Sequence, residues 1–302
     1  MRKSILWKSI FILLIVIVLF FIFLIYYADW LWFVSLGFSQ IFIKILVTRA
    51  VLGIIFGVIF FLIVGGNMIL ARKMDNERGL PPPQSEYAPS SNDILQTTSR
   101  TSVNIFMLIL LIFFSMIAGN AAAGKWEIFL KYFYPENFKL MDPIFNKDVS
   151  FYVFSLPIYD FIQSWFTIAL FLTILGVAWI YFFDRAIVLT EKLPSLMNHV
   201  SIHISGLAGV LLFFIAWGYR LKMYKLLYSK RGVAIGANFT DVSTQLIVFW
   251  VILLLSIIIG LLLLVNIYLR KRNILSKSLA IYFGAIILLG LIPSYVVQKL
   301  IV

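Results

Sequence analysis

Seven long apolar runs dominate this chain, at roughly 9–28, 44–70, 103–120, 161–183, 202–219, 246–269 and 277–297. A helix needs about 20 mostly apolar residues to cross a bilayer, and each run comes close to that length or exceeds it. Composition agrees: the 302 residues are 62% hydrophobic and 13% charged, with a mean hydropathy of +1.02. A soluble domain is about half apolar and a quarter charged, so lipid is the solvent this sequence implies. The expected fold class is an all-α membrane protein of about seven transmembrane helices plus interfacial amphipathic helices. In domain terms, 1–302 is one transmembrane helical unit, with 71–102 a cytoplasmic linker and 121–160 and 220–245 extracytoplasmic loops.

The first run, IFILLIVIVLFFIFLIYYA, follows Arg2, Lys3 and Lys8. It is too long for a signal peptide, and Tyr26 and Tyr27 stand where a cleavage site needs small residues. It reads as an uncleaved anchor. The second run carries Gly53 and Gly57 at GxxxG spacing. That step serves close helix packing, although glycine is also simply common in membrane helices.

Lysine and arginine set the orientation. With the N-terminus inside, 13 of the 25 basic residues are cytoplasmic, so raw count decides nothing. Placement does: Arg270, Lys271 and Arg272 fill a short loop, an even number of spans from the N-terminal cluster. Both face the cytoplasm only if the N-terminus does. The expected localisation is a multi-pass cell-membrane protein, N-terminus cytoplasmic and C-terminus extracytoplasmic. The net charge of +12 then belongs to anionic headgroups and topology, and no nucleic acid is expected as a partner. The lipid bilayer is the expected one.

Three connecting segments have character of their own. Pro81, Pro82 and Pro83 and the run SSND make 71–102 an irregular linker, or less simply a proline-rich docking peptide. In 121–160, Trp126, Phe129, Leu130 and Phe133 recur at helical spacing among lysines, which predicts a helix in the headgroup plane. In 220–245, Leu221, Tyr224 and Tyr228 share a face beside Lys222 and Lys225, which predicts a second. Lys230, Arg231 and Thr240, near Gly232 and Gly236, could form an anion-binding nest, but basic residues and glycine are common at membrane edges. Asn238-Phe239-Thr240 matches a glycosylation pattern too short to mean much.

Chemistry is thinly supplied. With no cysteine and two histidines, disulfides, thiolate sites and multi-histidine centres are excluded or poorly supplied. His199 and His203 share a helical face and could chelate a metal, yet no third nitrogen donor exists; packing histidines are the simpler reading. Asp142 and Asp148 could hold a divalent cation or share acid/base duty, though turn capping accounts for both more simply. No catalytic, cofactor-binding or metal-binding residue is therefore expected. Most spans lack ionisable residues in their interiors, which disfavours proton-coupled transport.

Three segments, ADWLWFVSLGF at 28–38, DPIFNKDVSFYVFSLPIYDF at 142–161 and LLYSKRGVAIGANFTDV at 226–242, in this order on a seven-span frame, resemble the uncharacterised protein family 0182. These are large multi-pass bacterial membrane proteins. The resemblance implies a seven-span N-terminal region starting inside, with a large extracytoplasmic domain after the last span. This chain stops about where that domain is expected, so it looks like the membrane half alone. It also has Asn238-Phe239 where the family more often has Gly-Tyr. No activity comes with the family. The matching positions are Asp29, Trp32, Gly37, Asp142, Phe145, Asp148, Tyr152, Pro157, Gly236, Thr240 and Asp241. All are expected at the outer face, where Asp29, Asp142, Asp148 and Asp241 would order three loops through backbone amides. The resulting expectation is an anchor or platform for an extracytoplasmic domain or subunit; the alternative is a transporter or channel for an apolar or lipid-like substrate.

Overall fold

The computed structural model describes residues 2–76, 91–186, 193–229, 236–239 and 241–291. The first six apolar runs fall in helices, and so does the described part of the seventh: α1 (Arg2–Ser35), α2 (Ser39–Asn76), α3 (Ser91–Ala123), α5 (Leu156–Ala186), α6 (Leu193–Lys225), α7 (Leu246–Leu269) and α8 (Arg272–Leu291). Residues 292–297 of that last run lie outside the described residues. A short helix, α4 (Trp126–Phe133), lies between α3 and α5. Among the described residues there is no strand, only an isolated bridge between Met141 and Asp148.

Six segments are long and apolar enough to cross a membrane: Ser39–Met74, Asn104–Ala123, Phe151–Tyr181, Val200–Tyr228, Asp241–Leu269 and Asn273–Gly290. The protein is an all-α membrane protein. The first apolar run lies in α1, several of whose side chains fall outside the described residues. Those that are described, Phe20, Phe21 and Ile25 among them, stand exposed, as lipid-facing groups should. A chain this apolar hides little from its solvent because the solvent is oil.

Two helix pairs approach closely because glycine lets them. A Cβ on Gly119 of α3 would run into the Gly53 carbonyl oxygen of α2, and one on Gly57 would stand 3.2 Å from the Ser115 carbonyl oxygen. The Gly53–Gly57 step is thus a packing surface. Gly209 of α6 and Gly260 of α7 repeat the device, each future Cβ meeting the other's carbonyl oxygen at 3.0 and 3.2 Å. Single polar contacts also link the helices. Trp165 donates from Nε1 to the Ala118 carbonyl at 3.1 Å, Asn266 from Nδ2 to Ser205 Oγ at 3.1 Å, and Ser256 and Tyr282 share a 2.8 Å hydrogen bond.

Two segments differ from their sequence-based expectation. The helices α2 and α3 run into the proline-rich linker from both sides, to Asn76 and from Ser91; the prolines themselves lie outside the described residues. A Ser-Asn-Asp run before an apolar stretch is a helix-start pattern as much as a loop pattern. The amphipathic segment after the fifth apolar run is no separate interfacial helix. It is the end of α6, continuing through Lys225 and closing in a 3₁₀ turn, Leu226–Tyr228. Lys225 bonds Asp160 of α5, and this pairing holds the last turns of α6 against the bundle.

Candidate functional site

The turn after α1, the segment between α3 and α5, and the segment between α6 and α7 lie at one end of the bundle. Ring and cation contacts join them. Arg49 of α2 sits over Trp126 of α4 at 5.5 Å, and Lys44 over Tyr134 at 4.5 Å. Phe129 anchors α4, its ring 5.7 Å from Phe56 and 5.8 Å from Phe161. As the sequence periodicity predicts, α4 is amphipathic: Phe129 is buried, while Lys131 pairs with Glu127 on the exposed side.

Asp142 is the organising residue of this end. Its Oδ1 accepts the backbone N–H groups of Ile144 at 2.9 Å and Phe145 at 2.6 Å. Its Oδ2 accepts the Lys147 N–H at 2.8 Å and the Tyr152 hydroxyl at 2.7 Å. Its backbone closes the same turn, donating to Lys147 O and accepting from Asn146 N; Asn146 takes a left-handed φ of 53°. The following Pro143 suits such a turn because it fixes φ and has no N–H to satisfy. The carboxylate is buried, and burial by itself would raise its pKa. The hydrogen bonds from Phe145, Tyr152, Lys147 and Ile144 outweigh that and hold it below its ordinary value.

Asp148 stands at the foot of the same hairpin. Its Oδ1 accepts the Ser150 N–H at 2.7 Å and the Phe138 N–H at 3.3 Å. Bonds from Ser150, hydroxyl first and then amide, lower its pKa. The two carboxylates thus serve adjacent turns, each occupied by its own local backbone. Capping is the arrangement found, not a shared pocket.

The chain then enters α5 through a wide π turn, Phe151–Ser155, in which the Leu156 N–H reaches back to Phe151 O. Pro157 explains the widening. It lacks an N–H, and its ring would press on the carbonyl four residues earlier in a regular helix; a π turn moves that carbonyl aside. The turn aims Tyr152 inward, its ring 5.8 Å from Tyr228 and 6.3 Å from Tyr224. Phe145 packs edge-on against Tyr224 at 4.9 Å. Phe145, Tyr152 and the end of α6 therefore form one aromatic cluster over the Asp142 turn.

The other marked residues occupy separate places. Gly37, at φ +77°, ends α1: its N–H bonds Val34 O at 3.0 Å, and the Phe38 N–H bonds Phe33 O at 2.8 Å, the paired bonds of a Schellman stop. Asp29 and Trp32 are exposed on the last turns of α1. Among the described residues Asp29 accepts no hydrogen bond, unlike the other three aspartates. Gly236, at φ +146°, donates its N–H to Ser229 O at 2.9 Å, bringing the ends of the α6–α7 segment together. Asp241 is buried and exchanges bonds with Asn238: Asn238 Oδ1 accepts the Asp241 N–H at 2.8 Å, and Asp241 Oδ2 accepts the Asn238 N–H at 3.3 Å. A second π turn, Asp241–Gln245, leads into α7. Thr240 lies outside the described residues, as do Lys230 and Arg231 of the expected nest.

Sequence reasoning passed over Arg220 and Trp250, which meet at this end, and read Tyr224 only as part of an amphipathic face. The i, i+4 pair Tyr224 and Tyr228 was the available signal. It also missed the setting of His203, whose ring nitrogens lie 3.0 Å from the Tyr181 hydroxyl and 3.2 Å from Asn67 Oδ1. This histidine bridges α2, α5 and α6; the His199 side chain lies outside the described residues. Among the described residues no group of three His, Asp or Glu side chains is placed to hold a metal.

No solved structure matches the chain. A protein of Sulfurovum sp. strain NBC37-1 is 32% identical over 287 residues, covering 93% of this chain but 31% of the relative. One from Desulforamulus reducens is 30% identical over 292 residues, covering 91% and 31%. One from Moorella thermoacetica is 32% identical over 279 residues, covering 90% and 30%. This chain therefore spans about a third of the length of these curated relatives, all named UPF0182 proteins. The family model described as "Uncharacterised protein family (UPF0182)" matches residues 6–302, and the chain belongs to that family.

Proposed function

We propose that this chain is a membrane anchor whose loop-bearing end faces away from the cytoplasm and serves as a platform for an extracytoplasmic domain or subunit. The observation that carries this reading is a rigidly wired but incompletely covered surface. Asp142 and Asp148 hold the 137–150 segment by backbone bonds, while Phe133, Tyr134, Phe138, Leu140 and Met141 stand 46–68% exposed beside it. Loops at a membrane edge that connect and do nothing else need no such wiring. Ordered apolar side chains that the chain itself leaves open favour a covering partner. The length of the relatives supports the same reading, since two thirds of each has no counterpart in this chain. The orientation is the one the basic clusters favour, N-terminus inside and C-terminus outside.

The test is site-specific photocrosslinking in intact cells, with the probe at Phe138 or Met141 and a control probe at Tyr268 of the opposite end. A discrete protein adduct from the first two positions and none from the control is the expected result. Adducts to lipid alone from Phe138 and Met141 would remove the basis of the platform. Cysteine labelling at 148 and 241 should report one and the same side of the membrane.

A further inference from the structure

Arg220, in the last turns of α6, sits in an enclosure of aromatic rings from three parts of the chain. Its guanidinium carbon is 4.7 Å from the Tyr224 ring centre, 5.1 Å from that of Trp250 on α7, and 5.8 Å from that of Phe145 in the Asp142 hairpin. Its hydrogen-bond contact is Nη1 to the Met223 thioether at 3.7 Å, a weak acceptor. The side chain is half-buried.

Among the described residues no carboxylate pairs with this guanidinium. The ion pairs between described residues are Lys131–Glu127 and Lys225–Asp160. Asp142, Asp148 and Asp241 face backbone amides of their own turns. A guanidinium has five N–H donors in one plane. Ring faces attract its charge but accept none of those in-plane hydrogens well. A charge half-enclosed by protein is costly to leave without a good hydrogen-bond acceptor, and the anion abundant at a membrane edge is the phosphate of a headgroup. A phosphate oxygen pair matches the guanidinium fork as a carboxylate does.

We propose that Arg220 binds a phosphate ester, the headgroup phosphate of a phospholipid in the leaflet on the loop side. Phe145, Tyr224 and Trp250 hold the guanidinium plane so that its free edge meets the phosphate. The site stands on the Arg220 geometry and not on the platform reading.

The experiment titrates the full chain in maltoside micelles with dioleoyl phosphatidylglycerol, counting bound lipid by native mass spectrometry. Arg220→Gln should weaken the tightest lipid by roughly tenfold, the effect expected of one lost charge-assisted pair. Lys222→Gln, whose ammonium lies over Tyr219 instead, should change it less than about twofold, as for an exposed charge. If Arg220→Gln does not accumulate, Arg220→Lys carries the test: it keeps the charge, loses the fork, and should bind several-fold more weakly. Inorganic phosphate in large excess separates the sources. No displacement of the lipid assigns the site to a headgroup, whereas displacement assigns it to free phosphate and overturns the lipid assignment. Full lipid affinity in Arg220→Gln or Arg220→Lys overturns the site itself.

Discussion

The middle of this bundle and its loop-bearing end are held together by opposite means. In the middle, the α2–α3 and α6–α7 seams rest on glycines that let backbones touch, with scattered single hydrogen bonds such as Asn266–Ser205. At the end, charge does the organising: one buried carboxylate, Asp142, gathers three backbone amides and a tyrosine hydroxyl. Solvent explains the difference. Lipid gives no hydrophobic advantage to burying one apolar side chain against another, so close steric fit decides helix pairing. At the headgroup level water and ions compete for irregular backbone, and a carboxylate can satisfy several amides at once. The middle should therefore fail by overpacking, and the loop end by loss of charge.

The largest effect belongs to the middle. Gly119→Val puts a branched Cβ hard against the Gly53 carbonyl oxygen, and the helices must separate. It should destabilise the protein by about 4 kcal/mol, beyond the usual range for overpacking, seen as a collapse of the SDS-denaturation midpoint. A normal midpoint would mean that the α2–α3 seam carries little of the stability. At the loop end, Asp142→Ala strands three amides and the Tyr152 hydroxyl in a partly buried turn. It should cost about 3 kcal/mol and open the 137–150 segment to protease while α2–α3 stays intact. Simultaneous loss of both regions would break the comparison.

Acid should separate the two regions without mutation. The Asp142 carboxyl lies below its ordinary value of 3.8 in the folded protein. Its contribution is therefore full above that value and disappears as pH falls through the lower native one. Asp148 shifts in the same direction. Protease sensitivity of 137–150 should thus rise below about pH 4, the ordinary carboxyl range, before the helical signal changes. The glycine seams, having no charge, should not respond.

Sequence made the two regions unequally legible. Helix identity followed from the apolar runs alone, and Gly53 with Gly57 marked a packing face, although their partner Gly119 lies far along the chain. The carboxylates of the hairpin were visible because Asp142 precedes a proline and Asp148 follows six residues later. What stayed hidden depends on tertiary pairing. Lys222 and Lys225 gave the end of α6 the pattern of a surface helix, yet Lys225 is answered by Asp160, 65 residues away. Arg220 had no local signature, because its rings come from Phe145, Tyr224 and Trp250. His203 meets Asn67 across 136 residues, which no local spacing reveals.

A smaller effect tests how the hairpin is joined to the bundle. Tyr152→Phe keeps the ring among Phe151, Tyr224 and Tyr228 and removes only the hydroxyl that donates to Asp142. The carboxylate retains its three amides, so the loss should be about 1.5 to 2 kcal/mol, the low end for one hydrogen bond to a charged group. The loss should vanish in the Asp142→Ala background, where the acceptor is already gone; that non-additivity is the sharper readout. If Tyr152→Phe costs the same in both backgrounds, the hydroxyl acts through something other than Asp142.

The smallest expected effect concerns the lipid-facing side of the glycine helix. Gly66 lies on α2 with nothing within 4 Å of where a Cβ would stand, whereas at Gly57 on the same helix the Ser115 carbonyl oxygen lies 3.2 Å away. Alanine at Gly66 adds a methyl group to lipid and removes a flexible residue from a helix interior, a change of about 0.5–1 kcal/mol in favour of folding. Alanine at Gly57 gains the same helical preference but must push α3 away. The pair shares helix and substitution, and differs in what the new methyl meets. Gly66→Ala should raise the SDS midpoint slightly and Gly57→Ala should lower it. Equal shifts in the same direction would mean that intrinsic helix preference, and not contact between backbones, governs α2.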